Sequence, residues 1–83
     1  MNESDIYKHL TEIVEDALFA EGVKLLPSTR ACDIPGWDSM ANLNIMLAAE
    51  RYFHIKFRVD EIERMEKVAD LVEAIESKLE KQV

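Results

Sequence analysis

The N-terminal part of the chain has the apolar spacing of an amphipathic helix. Its apolar positions recur every three or four residues and therefore share one face: Ile6, Leu10, Ile13, Val14, Ala17 and Leu18. Asn2 can cap the start of this helix, and Asp5 lies three residues on, as in a capping box. Gly22 predicts the end of the helix, because glycine readily takes the left-handed conformation that closes helices.

Two further segments have helical spacing, and a shorter one lies between them. A second helix is predicted to begin at Asp38 or Ser39. Its main apolar stripe is Met40, Leu43, Met46, Leu47 and Phe53, widened by Ile45 and Ala49. The segment 60–63 predicts a short capped turn of helix. The last helix has one apolar face, made of Val68, Leu71, Val72, Ile75 and Leu79.

Residues 23–37 connect the first two helices and lack helical spacing. Turn-forming residues dominate this segment: Pro27, Ser28, Thr29, Asp33, Pro35 and Gly36. Ordered loops of this length are commonly functional, and apolar residues such as Trp37 are expected to hold the loop against the core. The prediction is an all-α fold in one domain, residues 1–83. It is a small four-helix bundle, three main helices plus one short helix, with a long loop between helices one and two.

The composition limits the classes of partner and compartment. The chain has 83 residues and a formal net charge of −7, from 17 Asp and Glu against 10 Lys and Arg. Nucleic acids and anionic membranes require clustered positive charge, so neither is expected as a partner. Apolar runs stay well short of the roughly 20 residues of a membrane helix. The single cysteine, Cys32, and the lack of a signal-peptide pattern indicate a reducing compartment. We therefore expect a cytoplasmic protein, and a monomer.

The sequence lacks the usual patterns of catalytic and metal sites. His9 and His54 lie in different segments and fit no paired-ligand spacing, and Cys32 has no C-x-x-C partner. Glycine occurs only at positions 22 and 36, so no glycine-rich phosphate loop is present. The acidic residues also lack the spacing of a calcium loop. We expect neither an enzyme nor a metal site.

One segment, Ile-Pro-Gly-Trp-Asp-Ser-Met at 34–40, does indicate chemistry. It places Ser39 in the first turn of a helix, directly after a long loop and Asp38. The free N–H groups and the dipole of a helix N-terminus favour a negative group, so a phosphate ester on Ser39 would be stabilised there. Asp38 can cap the helix and could help to hold a divalent cation during phosphoryl transfer. On spacing alone, an ordinary helix cap explains the same two residues.

The same segment resembles the acyl carrier protein family, whose hallmark is Asp-Ser-Leu at the start of the second helix. Asp38-Ser39-Met40 matches it with methionine in third place. The likeness continues along the chain through Leu43, Met46, Leu47, Ala48, Glu50 and Phe53, then Ile55-Lys56-Phe57, and finally Val68-Ala69-Asp70-Leu71-Val72. Lys67 stands where the family often has a Ser or Thr cap, which predicts a weakly capped or shifted start of the last helix.

The resemblance implies a carrier rather than an enzyme. Ser39 would receive 4′-phosphopantetheine from coenzyme A through a phosphopantetheinyl transferase. The arm would hold acyl groups as thioesters for acyl-loading and acyl-processing enzymes of a fatty acid or polyketide-like pathway. The Pro-Gly-Trp lead-in at 35–37 resembles that of discrete carriers from specialised pathways.

The resemblance also implies where partners and cargo would bind. Family members dock through the second and the short third helices, which implies partner contacts at Met40, Leu43, Asn44 and Ile62. From Asp38 to Glu50 only these two end residues are charged, so recognition is expected to depend more on shape and apolar contact than on charge. A cleft between the same helices could shelter an acyl chain, edged by Met46, Ala49, Phe57, Ile62 and Met65.

Two alternative functions stay open at this point. The first is a carrier of amino acids, of the peptidyl or D-alanyl kind; Asp-Ser-Met is compatible with D-alanyl carriers, although the Pro-Gly-Trp lead-in is not theirs. The second is an unmodified helical adaptor that binds a partner through its second helix, at Met40, Leu43 and Ile45.

Overall fold

Four α-helices account for most of the chain in the computed structural model, which describes residues 2–81. The helices are α1, Glu3–Leu18; α2, Ser39–Phe53; α3, Val59–Arg64; and α4, Val68–Glu80. A single 3-10 turn, Ala31–Asp33, interrupts the long loop between α1 and α2. The predicted all-α fold, with three main helices and a short one, is confirmed. The predicted domain, residues 1–83, also includes Met1, Gln82 and Val83, which lie outside the described residues.

The two ends of α1 differ in how well the sequence predicts them. At the start, the Asn2 side chain accepts a hydrogen bond from the Asp5 N–H at 2.9 Å, as predicted. The predicted end at Gly22 is wrong. The helix ends at Leu18, and Phe19 takes the left-handed conformation with φ 53°. Gly22 also has a positive φ, but it lies in the loop beyond the helix, so the turn that closes α1 is made by Phe19.

The core lies where α1, α2 and α4 meet. Thirteen buried side chains form one cluster: Ile6, Leu10, Val14, Leu25, Ile45, Met46, Ala49, Phe53, Ile55, Val68, Leu71, Val72 and Ile75. α3 has no buried residue and contributes only half-buried side chains to the edge of this cluster. Three helices therefore hold the bundle together, and the short helix rests on its side.

α1 runs antiparallel to both α2 and α4. The His9 and Tyr52 rings, from the first half of α1 and the end of α2, lie 4.8 Å apart between centroids. Burial, together with Glu3, Glu73 and Glu76, raises the pKa of Tyr7, which places the first half of α1 beside the middle of α4. The end of α1 and the starts of α2 and α4 consequently share one end of the bundle.

The apolar stripe predicted for α2 is only partly the buried face. Met46, Phe53, Ile45 and Ala49 are buried as expected, and Ala41 joins them. Three residues of the stripe, Met40, Leu43 and Leu47, are instead among the exposed large apolar side chains. The buried face follows a spacing of four residues, 41, 45, 49 and 53, and the exposed apolar residues occupy a second face of the same helix.

The loop bonds directly to the start of α4. The carbonyl oxygens of Thr29 and Pro27 accept from the N–H groups of Val68, at 2.8 Å, and Ala69, at 3.0 Å. The Asp70 carboxylate accepts from the N–H groups of Glu66 and Lys67, at 2.9 and 3.2 Å. The prediction of a weakly capped α4 is therefore wrong. The N–H groups at the start of α4 are capped by loop carbonyls and by the Asp70 carboxylate, and not by the side chain of Lys67.

Candidate functional site

Ser39 is the first residue of α2 and lies at the end of two tight turns. The Trp37 N–H donates to the Ile34 carbonyl at 3.2 Å, and the Asp38 N–H donates to the Gly36 carbonyl at 3.0 Å. Gly36 has a φ of 88°, a conformation that other residues rarely adopt. The turns deliver Asp38 in an extended conformation, and its carboxylate accepts from the Ala41 N–H at 2.9 Å. Asp38 is thus the N-cap of α2, as predicted.

The peptide groups around Ser39 leave donors available for a ligand. Asp38 occupies the Ala41 N–H, and the Asn42 N–H donates to the Asp38 carbonyl at 2.8 Å. The N–H groups of Ser39 and Met40 find no acceptor among residues 2–81. The Ser39 side chain is exposed, and its hydroxyl makes no hydrogen bond within the same residues. An exposed hydroxyl beside two unused N–H donors and the positive end of a helix dipole suits a phosphate ester.

Trp37 fixes the loop to α2 next to this position. Its indole N–H donates to the Asn42 side-chain carbonyl at 3.0 Å, and its half-buried ring packs against the core. The expected anchoring role of Trp37 is confirmed by these contacts. Because the anchor lies two residues before Ser39, the loop cannot shift without also moving the start of α2.

Behind Trp37 lies a small cavity bounded by the loop, α2 and the start of α4. Its volume is about 40 Å³. Its walls are Ala31, Trp37, Asn42, Met46, Met65, Glu66, Lys67, Val68 and Leu71. Typical ligand pockets have volumes of roughly 300–1,000 Å³, so this cavity is small by comparison. A longer apolar group could enter only if the side chains around it moved apart.

The five residues of the predicted acyl cleft are divided between this cavity and the bundle interior. Met46 and Met65 line the cavity. Ala49 is completely buried in the core, while Phe57 and Ile62 are half-buried at its edge. The cleft stays a prediction, and the cavity marks the part of it that is open in this conformation.

The predicted partner residues are mostly on the exposed face of α2. Met40 is 74% exposed and Leu43 is 55% exposed, and Asn44 is also exposed. Ile62 is half-buried on α3. In the adaptor alternative, Ile45 was expected to contact the partner; that expectation is wrong, because Ile45 is fully buried.

Sequence reasoning missed two exposed apolar residues near this face. Leu47 continues the exposed face of α2 one turn beyond Leu43, and Val59, the first residue of α3, is also exposed. Because Leu47 has helical spacing from Met40 and Leu43, periodicity places it in one stripe with the buried Met46 and Phe53. The spacing of Ala41, Ile45 and Ala49 was the signal that could have separated the two faces.

Polar contacts attach α3 and its preceding segment to the bundle. The Glu50 carboxylate accepts from the Phe57 N–H at 2.7 Å, so one of the few charges of α2 has a structural partner. The Lys78 ammonium donates to the Glu61 carboxylate at 2.9 Å, and the Arg58 N–H donates to the same group. These two hydrogen bonds, that of Lys78 first, hold the pKa of Glu61 below its usual value.

Two further findings concern metals and membranes. Within residues 2–81, no group of three or more His, Cys, Asp or Glu side chains is arranged to hold a metal ion. Within the same range, none of the helices is long and apolar enough to cross a membrane.

Comparison with known proteins gives relatives that span nearly the whole chain. No protein-family model matches the sequence. An acyl carrier protein of Thermosynechococcus vestitus is 27% identical over 79 residues, 95% of this chain and 98% of the relative. An acyl carrier protein of Akkermansia muciniphila is 29% identical over 76 residues, 92% of this chain and 95% of the relative.

A solved structure agrees with these relatives. The solution NMR structure of a holo acyl carrier protein from Geobacter metallireducens superimposes with a TM-score of 0.86 at 29% identity, covering 92% of this chain and 87% of the other. Relatives in sequence and a neighbour in fold therefore agree, and together they confirm the resemblance of this chain to the acyl carrier protein family.

Proposed function

We propose that this protein carries acyl groups on a 4′-phosphopantetheine arm attached to Ser39. The observation that carries the proposal is the exposed Ser39 hydroxyl at the first position of α2, beside two N–H groups without an acceptor among residues 2–81. The holo form of the Geobacter metallireducens neighbour and the acyl carrier proteins among the relatives support it.

The residues around Ser39 suit the attachment of such an arm. The N–H groups of Ser39 and Met40 can donate to the phosphate oxygens, and the helix dipole stabilises their charge. Once attached, the arm supplies a thiol that holds acyl groups as thioesters. The exposed position of Ser39 lets the arm extend away from the bundle toward a partner enzyme.

In the modification, Ser39 Oγ attacks the phosphorus of coenzyme A that bears the pantetheine arm. It displaces the oxygen that bridges the two phosphates. A phosphoester forms between Oγ and the phosphopantetheine phosphate, the pyrophosphate bond breaks, and adenosine 3′,5′-bisphosphate leaves. The transferase takes the hydroxyl proton. Asp38, the exposed neighbour of Ser39, keeps the start of α2 in place and can help to hold the magnesium ion that neutralises the phosphates.

Partner enzymes would meet the protein on the exposed face of α2. Met40, Leu43 and Asn44 form this face, and Ile62 extends it from α3. The first turn of α2 contains no acidic residue, and Glu50 already binds the Phe57 N–H. We therefore expect contact at this face to depend on apolar area and shape rather than on charge.

The acyl chain would shelter between Met46, Ala49, Phe57, Ile62 and Met65. The cavity beside Met46 and Met65 gives this cleft its starting point, and its volume of about 40 Å³ favours short cargo. A longer chain would have to displace half-buried side chains such as Phe57 and Ile62, at a cost in packing.

The first prediction tests the attachment site. The purified full chain is incubated with coenzyme A, magnesium and a phosphopantetheinyl transferase of broad specificity, and its intact mass is measured. We expect the mass to increase by one phosphopantetheine in the wild type and to stay unchanged in Ser39→Ala. Ser28→Ala, which changes an exposed loop serine, is the matched control and should be modified like the wild type.

An unchanged mass for folded wild-type protein would contradict the proposal and favour the unmodified adaptor. Circular dichroism confirms that each sample is helical, so a failure to react cannot be attributed to unfolding. The intact mass of protein isolated from its own cell then separates the two kinds of carrier, because acyl and aminoacyl cargo add different masses to the arm.

A further inference from the structure

Phe19, which closes α1, is almost completely exposed. Its side chain is 98% accessible to solvent, more than that of the other exposed large apolar residues described: Leu26, Met40, Leu43, Leu47, Tyr52 and Val59. Its backbone has a φ of 53°, in the left-handed region. Glycine or asparagine usually occupies the position that closes a helix in this way, because bulky side chains are strained there.

Several features at the end of α1 lower its local stability. Phe19 is strained and gains almost no burial in return. The last turn of α1 contains Glu15 and Asp16 and no basic residue, although the helix dipole favours cations at that end. Features that oppose local stability without a compensating contact commonly mark functional positions.

Carboxylates surround Phe19, and most of them are exposed. Glu12, Asp16 and Glu21 are exposed side chains beside Phe19 in the same shallow surface depression. Glu15 lies there too, but its carboxylate accepts from the Val23 N–H at 3.0 Å and so holds the following loop. An aromatic side chain within a negative rim is complementary to an apolar pocket rimmed by Lys and Arg.

This surface lies at the Ser39 end of the molecule. Because α1 is antiparallel to α2, the end of α1 and the start of α2 share one end of the bundle. The two shorter dimensions of the molecule are 25 and 22 Å. A standard protein interface covers about 800 Å² on each partner, which is comparable with this whole end. An enzyme that binds across this whole end to reach the Ser39 hydroxyl would therefore also contact Phe19.

We propose that Phe19 is a docking anchor for the phosphopantetheinyl transferase, which receives its ring in an apolar pocket rimmed by Lys and Arg. Glu12, Asp16 and Glu21 supply the attraction to a basic enzyme surface that α2, with no acid in its first turn, does not provide. The inference rests on the proposed modification of Ser39, and it adds a second contact surface outside α2 and α3.

The test is the steady-state kinetics of Ser39 modification by a broad-specificity transferase, with the full-length chain as the varied substrate. Phe19→Asn removes the ring and keeps a residue that tolerates the left-handed conformation. We expect KM to rise about tenfold with kcat within a factor of two, because an aromatic anchor contributes to binding and not to chemistry. Tyr52→Asn, an exposed aromatic at the other end of α2, is the matched control and should leave KM unchanged.

Thermal unfolding of the same variant provides a readout that a structural role would not give. Phe19→Asn relieves backbone strain, so we expect its Tm to rise by about 4 °C while its affinity for the transferase falls. The triple variant Glu12→Gln, Asp16→Asn and Glu21→Gln tests the charges. It should raise KM at low salt and reduce the dependence of KM on salt concentration.

A KM for Phe19→Asn within a factor of two of the wild-type value would overturn the inference. A Tm that falls together with the affinity would also overturn it, since Phe19 would then be a structural residue. Both outcomes differ from failure of the proposed function, in which the wild type itself shows no mass gain at Ser39.

Discussion

α2 and α4 begin at the same end of the bundle, but their first peptide N–H groups are used differently. At α4, the N–H groups of Val68 and Ala69 bond to loop carbonyls. At α2, the N–H groups of Ser39 and Met40 have no acceptor within the described part of the chain. The donors at the start of α4 attach the helix to the loop, and those at the start of α2 stay available for a ligand. The difference shows that a helix N-terminus is a site only where the fold does not already use its donors.

The largest effect should come from proline at the second position of each helix. Ala69→Pro removes the N–H that bonds to the Pro27 carbonyl, whereas Met40→Pro removes an N–H without a protein acceptor. Both variants share the strain that proline imposes on the residue before it, so this cost cancels in the comparison. We expect Ala69→Pro to lower the free energy of unfolding by about 1–2 kcal/mol more than Met40→Pro, measured by urea denaturation.

Ala69→Ser and Met40→Ser are the controls, since serine retains the N–H at both positions. Equal losses of stability in the two proline variants would contradict the comparison. That result would mean that the loop carbonyls do not stabilise α4, or that the start of α2 has an acceptor of its own in solution.

The second prediction concerns the cap of α2. Asp38→Ala removes the acceptor of the Ala41 N–H, and we expect the free energy of unfolding to fall by about 1 kcal/mol. Asp38→Asn keeps an acceptor and should lose clearly less stability. If Asp38 also helps to hold magnesium, both variants should be modified at Ser39 more slowly than the wild type. Asp38→Asn would then lose modification rate while keeping most of its stability. A rate that follows stability alone would restrict Asp38 to capping.

The smallest effect should appear at the cap of α4, as a dependence on pH. Hydrogen bonds from the N–H groups of Glu66 and Lys67 hold the pKa of Asp70 below its ordinary value of 3.8. The ionised carboxylate is therefore favoured in the folded state. Its contribution is complete above pH 3.8 and is lost as the pH falls through the lower folded-state pKa.

Urea denaturation at a series of pH values measures this contribution. The stability difference between wild type and Asp70→Ala should be largest near neutral pH and should shrink below pH 3.8. Asp70→Asn is the control: its difference from Asp70→Ala should not change over this range, because neither side chain titrates. If the stability difference between wild type and Asp70→Ala stayed constant as the pH fell below 3.8, that result would contradict the hydrogen bonds to the Asp70 carboxylate at the start of α4.

The sequence predicts α1 and α4 well because each has one apolar face and one polar face. In α2, apolar residues occupy two faces, and periodicity alone cannot tell the core from an exposed docking surface. Periodicity places Met40, Leu43 and Leu47 in one stripe with the buried Met46 and Phe53, although the structure exposes all three. The small size of Ala41 and Ala49 indicates close helix packing, but only in retrospect.

The candidate site was more predictable than the contacts around it. Asp38 and Ser39 follow a local rule, since a helix cap is encoded within a few residues. The closing of α4 by the Pro27 and Thr29 carbonyls joins segments about forty residues apart through the backbone. Backbone groups are the same at every position, so no residue pattern reports this contact. The left-handed conformation of Phe19 was missed for the opposite reason, because it contradicts the local preference of its residue type.

The exposed thiol of Cys32 has a practical consequence for thiol chemistry. It is the only cysteine of the chain, and it lies in the 3-10 turn whose first residue, Ala31, lines the cavity beside Met65. If Ser39 carries the proposed arm without cargo, titration with a thiol reagent counts two thiols in place of one, which measures the fraction of protein with a free arm without mass spectrometry.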